Sequence, residues 1–315
     1  MSSRECWRED LAQAEEICRD ALREPALQSL ARQVPQRFTH AEACYAALQQ
    51  VTSCPTSTEL LLEQTRNIEA EPWAVGRWLL LNAALCALPK VAAYPVDAQV
   101  KRLWAEEAVS WARPSSFADF PIKSTRFREM ARLATLRRFP AGQFHWEISG
   151  LPRSYLLRTE LRRWPRLVAA VFGDMRGFSP VIETHINERR KNRLTLNESE
   201  AERSYLLAAK SLEKQPHIKG LFSESWLYCE STARVSPRLA WMREFLEQRG
   251  ALLAATRLAT EESGFMRGSE ERRRLYESGV YRPTITFALW PRSAMLAWAS
   301  QYQAGRQAAM AQAAG

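Results

Sequence analysis

Val181-Ile-Glu-Thr-His-Ile186 begins the segment that indicates the fold class most clearly, and this segment continues to Leu258. Short apolar or alternating runs predict strands at Val181–Ile186, Ile218–Tyr228 and Ala251–Leu258. Apolar residues at three- and four-residue spacing predict helices at Glu198–Lys214 and Pro237–Arg249. Strands that alternate with helices in this way predict an α+β fold with a mixed sheet.

The texture of the sequence changes at about residue 139. Before it, helical periodicity prevails, so residues 1–138 are predicted to form a helical region. After it, further strands are predicted at Gln143–Ile148, Tyr155–Arg158, Leu167–Phe172 and Thr284–Trp290. We therefore predict an α+β domain over residues 139–300 and a weakly ordered, Ala- and Gln-rich tail over residues 301–315.

Charge is distributed unevenly along the 315 residues. The net charge is +9, but residues 1–100 carry 9 Lys and Arg against 13 Asp and Glu, a net charge of −4. Residues 101–315 carry 35 against 22, a net charge of +13. Such a basic excess favours an anionic small-molecule ligand and leaves nucleic acid open as a partner, although no nucleic-acid-binding motif is present.

The longest apolar run, Trp78–Pro89, is shorter than the roughly 20 residues that span a bilayer, so no membrane span is expected. The N-terminus lacks the apolar core of a secretory signal, which leads us to expect a cytoplasmic protein. The six cysteines form no Cys-x-x-Cys pair, so buried free thiols are the expected state.

Two mirrored pairs of histidine and glutamate are the first candidate site. His145 and Glu147 lie two residues apart in one predicted strand, and Glu183 and His185 do so in another. The two-residue period of a strand places both members of a pair on one face. If the strands are neighbours, two imidazoles and two carboxylates converge, which suits either proton transfer or a divalent metal. A solvated sheet face remains the plainer alternative.

A basic loop is the second candidate site. Arg189, Arg190 and Arg193 immediately precede the helix that Asn197 is predicted to cap. Free N–H groups and the positive end of the helix dipole attract phosphate, and neighbouring arginines strengthen that attraction. A solvated loop is again the alternative.

The predicted strand Ile218–Tyr228 supplies two more candidates, Ser225 and Tyr228, either of which could donate a proton to a leaving group. Strand alternation predicts that Ser223 and Ser225 share one face while Phe222, Glu224 and Tyr228 share the other.

Two resemblances add to these patterns. One is to an uncharacterised bacterial protein family, which the chain resembles in the segments Phe144–Glu147, Arg189–Leu194, Ser225–Tyr228, Ser236–Trp241 and Leu289–Arg292. The order of predicted elements from Val181 to Leu258 resembles the second half of a GNAT-type acyltransferase. In that family the loop-to-helix step binds the pyrophosphate of acyl-coenzyme A, and the next strand and helix splay around the thioester arm. A tyrosine often protonates the departing thiolate.

The GNAT resemblance implies a GNAT-like domain that transfers an acyl group from acyl-coenzyme A or a carrier thioester to an amine or hydroxyl, without a metal. It implies that Arg189, Arg190, Arg193 and Asn197 bind the cofactor. Glu183 or His185 would deprotonate the acceptor, and Tyr228 would be the acid. His145, Glu147 and Ser225 are left as substrate contacts. A metal-dependent enzyme that uses the His/Glu cluster, and a non-enzymatic basic module that binds nucleic acid or protein, are the alternatives.

Overall fold

The computed structural model describes residues 6–53, 57–113, 119–187 and 196–314. The chain forms two compact units, Met1–Ala141 and Gly142–Gly315. The predicted division after residue 138 stays a prediction, as does the weakly ordered tail, part of which lies in a helix that continues to Ala314.

The first unit is helical. Its described elements are α1 Cys6–Leu22, α2 Pro25–Ala31, α3 Ala41–Ser53, α4 Ser57–Thr65, α5 Pro72–Ala93, α6 Ala98–Ala112, α7 Thr125–Ala134 and the short strand β1 Arg138–Ala141. Within this unit Trp104 and Trp111 are fully buried and meet edge to face at 6.3 Å. Arg77 is buried beside them and donates to the Trp111 carbonyl and to the Glu24 carboxylate. The core of this unit therefore consists of packed helix faces, with the paired charge of Arg77 buried among them.

Helix α5 is the central element of the first unit. Among the described residues, Trp73–Ala93 is the one segment long and apolar enough to cross a membrane, with a mean hydropathy of 1.2. Within the structure, 83% of that window is buried, as expected for a core helix.

The second unit is α+β. Its strands are β2 Phe144–Ser149, β3 Val181–Ile186, β4 Gly220–Ser225, β5 Leu252–Leu258 and β6 Thr284–Pro291. Its helices are α8 Ser154–Arg158, α9 Trp164–Val168, α10 Glu198–Glu213, α11 Glu230–Val235, α12 Ala240–Gln248, α13 Glu270–Glu277 and α14 Arg292–Ala314. A π-helical segment, Ala169–Asp174, continues α9.

The sheet of the second unit is mixed. Its strands follow the order β2-β3-β4-β6-β5, so β6, the last strand in sequence, lies between β4 and β5. Strand β3 is antiparallel to β2 and parallel to β4, whereas β6 is antiparallel to both of its neighbours. The predicted α+β class with a mixed sheet is confirmed.

The two faces of this sheet differ in what covers them. One, here the Glu183 face, packs Val181, Phe222 and Phe287 against Leu167 and Val171 of the segment between β2 and β3. On the other, here the Ser223 face, Trp290 meets Tyr205 of α10 edge to face at 5.7 Å and Phe245 of α12 at 6.1 Å. Apolar and aromatic side chains therefore pack on both sides of the sheet.

Two predicted strands are wrong. Tyr155–Arg158 lies in α8, and Leu167–Phe172 lies in α9 and the π-helical segment. Leu167, Ala170 and Val171 are buried at three- and four-residue spacing, which is the helical period. A short apolar run has too few positions to separate this period from that of a strand, and the packing decides between them.

Candidate active site

The two mirrored pairs lie on neighbouring strands of the second unit, as their predicted convergence requires. In the register of β2 and β3, His145 lies opposite His185 and Glu147 lies opposite Glu183. Directly opposed residues share one side of a sheet, so all four belong to the Glu183 face. The antiparallel pairing is continuous over six residue pairs, and this continuity determines where each of the four side chains lies.

Three of these four side chains form a tight group, here the carboxylate–histidine cluster of Glu147, Glu183 and His185. His185 Nε2 lies 3.4 Å from Glu147 Oε1 and 3.7 Å from Glu183 Oε1. One ligand atom from each residue lies within 4.8 Å of the others. His145 is buried, and its ring is not a member of this group. The cluster can therefore accept a proton or surround one small cation.

The cluster stands beside a gap in the pairing of two strands. Parallel strands β3 and β4 are partners at only two positions, Ile182 with Leu221 and Glu183 with Phe222. Beyond them, within these two fully described strands, Thr184–Ile186 and Ser223–Ser225 form no ladder pairs with each other. We call this gap, bounded by residues 184–186 and 223–225, the opening. Glu183 is the last paired residue of β3, so its carboxylate lies where the opening begins.

Tyr228 lies on the other side of the sheet. The prediction that it shares a face with Phe222 and Glu224 is wrong, because β4 ends at Ser225 and Trp226–Tyr228 is a 3₁₀ turn. The Tyr228 hydroxyl lies 2.9 Å from Ser223 Oγ, on the Ser223 face. Burial raises the pKa of Tyr228, and hydrogen bonds with Ser223 and Tyr205 lower it in part.

The remaining predicted site residues have defined local roles or lie outside the described residues. Ser225 Oγ accepts a hydrogen bond from the Leu227 N–H at 3.1 Å and so begins the 3₁₀ turn. Asn197 caps α10 as predicted, with its Oδ1 accepting from the Glu200 N–H at 2.9 Å. Arg189, Arg190 and Arg193 lie outside the described residues. Their assignment to the cofactor stays a prediction, as do the roles given to the other site residues.

Two residues near the cluster were not predicted from the sequence. Tyr155 donates a hydrogen bond to Glu224, which follows Phe222 on the same face of β4. Burial, that hydrogen bond and the charges of Glu224 and Glu183 raise the pKa of Tyr155. Alternation along β4 places Glu224 correctly, but Tyr155 was assigned to a strand. The Glu183 face at the opening is therefore richer in carboxylates than the sequence indicated.

Ser223 was also not predicted as a site residue. Its Oγ lies 3.5 Å from the carbonyl oxygen of Thr184, directly across the first unpaired position of the opening. Its place beside Ser225 on one strand face was the available signal. Nothing in the sequence shows that Ser223 meets Tyr228, because that contact depends on where β4 ends.

Comparisons with known proteins give a limited result. No protein-family profile and no curated protein matches the sequence, so the expected relation to an uncharacterised bacterial family stays a prediction. Solved structures of acyltransferases are similar at low identity. One, in complex with decanoyl-CoA and teicoplanin, is 12% identical with a TM-score of 0.47, covering 92% of this chain and 97% of that one. Another, a mutant in complex with octanoyl-CoA, is 12% identical with a TM-score of 0.48, covering 92% and 96%.

Proposed function

We propose that this protein transfers an acyl group from acyl-coenzyme A to an amine or hydroxyl acceptor, with the opening between β3 and β4 as the thioester site. The observation that carries the proposal is the end of the ladder at Glu183 and Phe222. Backbone N–H and C=O groups that lose their ladder partners need others. A linear arm that carries amide groups can pair with such strand edges as an added strand does.

The position of helix α10 supports the same ligand. The helix begins at Glu198, soon after β3 ends, and it is 16 residues long. Its N-terminus supplies free N–H groups and the positive end of a dipole, which favour a phosphate group. The arginines at 189, 190 and 193 precede it in the sequence. In a GNAT-type acyltransferase the pyrophosphate of coenzyme A binds at the equivalent step, and we propose the same for this chain.

The carboxylate–histidine cluster would supply the base. The acceptor nitrogen or oxygen attacks the thioester carbonyl carbon, and the proton it loses passes to Glu183 or His185. The C–S bond then breaks, and the sulfur must gain a proton to leave as a thiol. Glu183 Oε1 and His185 Nε2 lie 3.7 Å apart, so a proton transferred to either residue can be shared with the other.

A thermal-shift titration tests this function, with octanoyl-coenzyme A, acetyl-coenzyme A, free coenzyme A and a divalent-metal panel in parallel. At about 100 times the dissociation constant a ligand stabilises its protein by about 2.7 kcal/mol, which raises the midpoint by several degrees. We expect a rise with the coenzyme A derivatives. No rise with any of them at about 1 mM would overturn the proposal, since a cosubstrate that weak could not saturate the site.

A metal-dependent enzyme is the second candidate, and the geometry of the cluster favours it. The ligand atoms of Glu147, Glu183 and His185 are close enough to share one ion, and carboxylate with imidazole suits Mn²⁺ or Zn²⁺. This candidate predicts a thermal shift with metal alone that Glu147→Gln abolishes. Calorimetric titration of the wild-type protein with Mn²⁺ and Zn²⁺ measures the same binding directly.

A further inference from the structure

Ser223 occupies a particular place in the opening. It is 4% exposed, and its Oγ reaches the Thr184 carbonyl where the backbone ladder between β3 and β4 has just ended. At the first unpaired position, a side-chain hydroxyl thus bridges the two strands in place of a backbone hydrogen bond. Ser223 therefore places a hydroxyl of the Ser223 face at the beginning of the opening.

A chain of buried hydroxyls stands behind Ser223. The Tyr228 hydroxyl lies 2.9 Å from Ser223 Oγ, and an interaction with Tyr205 of α10 lowers the pKa of Tyr228. All three side chains are at most 4% exposed. Tyr228 lies behind Ser223, whose Oγ is within hydrogen-bond range of both the Tyr228 hydroxyl and the Thr184 carbonyl. Ser223 therefore links Tyr228 to the backbone that bounds the opening.

We propose that Ser223 donates the proton to the departing thiolate, that Tyr228 replaces this proton, and that Tyr205 holds Tyr228 in place. The inference rests on the acyl-transfer function proposed above. As the C–S bond breaks, sulfur takes the Ser223 hydroxyl proton and the Ser223 oxygen takes the Tyr228 proton. When the product leaves, water that enters the opening gives a proton to Ser223, which passes its own proton to Tyr228. Tyr228, predicted from the sequence as the acid, thus acts through Ser223 as a positioning residue.

The chemistry of the three hydroxyls fits this order. A serine hydroxyl alone is a weak acid, whereas a tyrosine hydroxyl ionises near pH 10 in water. Burial raises the pKa of Tyr228, and interactions with Ser223 and Tyr205 offset this rise in part, so both would stabilise a phenolate left at Tyr228. Two donors around one buried oxygen stabilise the transient charge, so the chain can release a proton toward the opening.

The test compares a poor and a good leaving group. Acyl transfer from octanoyl-coenzyme A and from S-octanoyl-4-nitrothiophenol is measured with ethanolamine, spermidine and hydroxylamine as acceptors. An aryl thiolate leaves without a proton, so it does not need the acid. For Ser223→Ala we expect a loss of about 100-fold in kcat with octanoyl-coenzyme A and a loss under about threefold with the aryl thioester.

Matched variants control for the loss of a buried hydroxyl. Ser211→Ala removes a buried serine hydroxyl that bonds the Leu207 carbonyl within α10, and Tyr281→Phe removes a buried phenol that bonds Thr232. For both variants, the ratio of kcat with octanoyl-coenzyme A to kcat with the aryl thioester should equal that of the wild-type protein. For Tyr205→Phe, kcat should fall about tenfold with octanoyl-coenzyme A and stay close to the wild-type value with the aryl thioester. Ser223→Thr, which keeps a hydroxyl, should retain most of the activity.

Equal losses of Ser223→Ala on both thioesters would overturn the relay and leave Ser223 a structural residue. If Ser223→Ala does not fold, Tyr228→Phe carries the same comparison, with a preferential loss on octanoyl-coenzyme A expected and equal losses overturning the relay. Failure of the acyl-transfer function itself looks different, because the wild-type protein then turns over neither thioester with any acceptor.

Discussion

Strand β3 has two neighbours and pairs with them in different ways. With β2 it forms six antiparallel partner pairs over its whole length, whereas with β4 it forms two parallel pairs and then none. The continuous side holds the carboxylate–histidine cluster in register, and the interrupted side provides a gap beside that cluster. The difference shows that one strand can hold side chains in register along its whole length on one side and end its pairing early on the other.

The largest expected effect comes from disturbing the paired side of β4. Gly220 begins β4, and a Cβ there would lie 2.4 Å from the carbonyl oxygen of Trp290 in β6. Because neither backbone can yield easily, Gly220→Ala should lower the free energy of unfolding by about 3 kcal/mol. Urea denaturation measures this loss. Gly173→Ala is the matched control, since nothing lies within 4 Å of its Cβ position, and it should change stability by at most about 1 kcal/mol. A loss under about 1 kcal/mol for Gly220→Ala would show that β4 and β6 are not held closely here.

The second prediction sharpens the role of the cluster beside the gap. Glu183→Gln removes the proposed base while keeping the size of the side chain, so kcat should fall about 100-fold, equivalent to about 2.7 kcal/mol. The thermal shift with octanoyl-coenzyme A should persist. Steady-state kinetics with the amine panel measure the loss, and Glu277→Gln, an exposed carboxyl at the end of α13, is the control. Wild-type kcat in Glu183→Gln would remove this residue from the reaction.

The third prediction concerns the buried hydroxyls of the Ser223 face. Burial raises the pKa of Tyr205 well above its ordinary value, so the folded protein keeps a proton that the unfolded chain releases near pH 10. The stability contributed by Tyr205 is therefore full below about pH 10 and is lost as the pH rises further. Each such group contributes a slope of about 1.4 kcal/mol per pH unit. Urea unfolding between pH 9.5 and 11 should show that the free energy of unfolding falls less steeply with pH for Tyr205→Phe than for wild type. Identical pH slopes for the two proteins would contradict the burial of the Tyr205 hydroxyl away from water.

The smallest expected effect is at the start of α10. Asn197→Ala removes the oxygen that accepts from the Glu200 N–H, which should lower stability by about 1 kcal/mol. Asn197→Asp keeps an accepting oxygen and should retain wild-type stability. Thermal unfolding of both variants measures the difference, and equal midpoints would mean that the cap contributes nothing to the helix beside the opening.

Much of this fold could be predicted from the sequence because strand alternation, helical spacing and helix caps depend on residues that are close together in the chain. Val181–Ile186 alternates over its full length and is observed with the predicted bounds, and Asn197 caps α10 where the capping signal places it. The convergence of Glu147, Glu183 and His185 follows from alternation once β2 and β3 pair. These features depend on neighbouring residues and on the pairing of β2 with β3, so the sequence pattern is enough to predict them.

The rest depends on contacts between distant parts of the chain. The alternating pattern does not show where β4 ends, because it continues past Ser225 into the 3₁₀ turn. The pattern therefore predicts the wrong face for Tyr228. Tyr155 belongs to a helix whose packing against Phe222 and Phe287 outweighs a short apolar pattern. The sequences of β3 and β4 do not indicate where their pairing ends. Only the register in the structure shows it.

Residue-level amide hydrogen exchange with and without octanoyl-coenzyme A tests most directly whether the opening is the ligand site. We expect protection to rise by about tenfold or more at residues 184–186 and 223–225, where strand edges gain partners, and to change little at residues 145–148 of β2. Binding that leaves exchange in the opening unchanged, or that protects only other segments, would contradict the central claim.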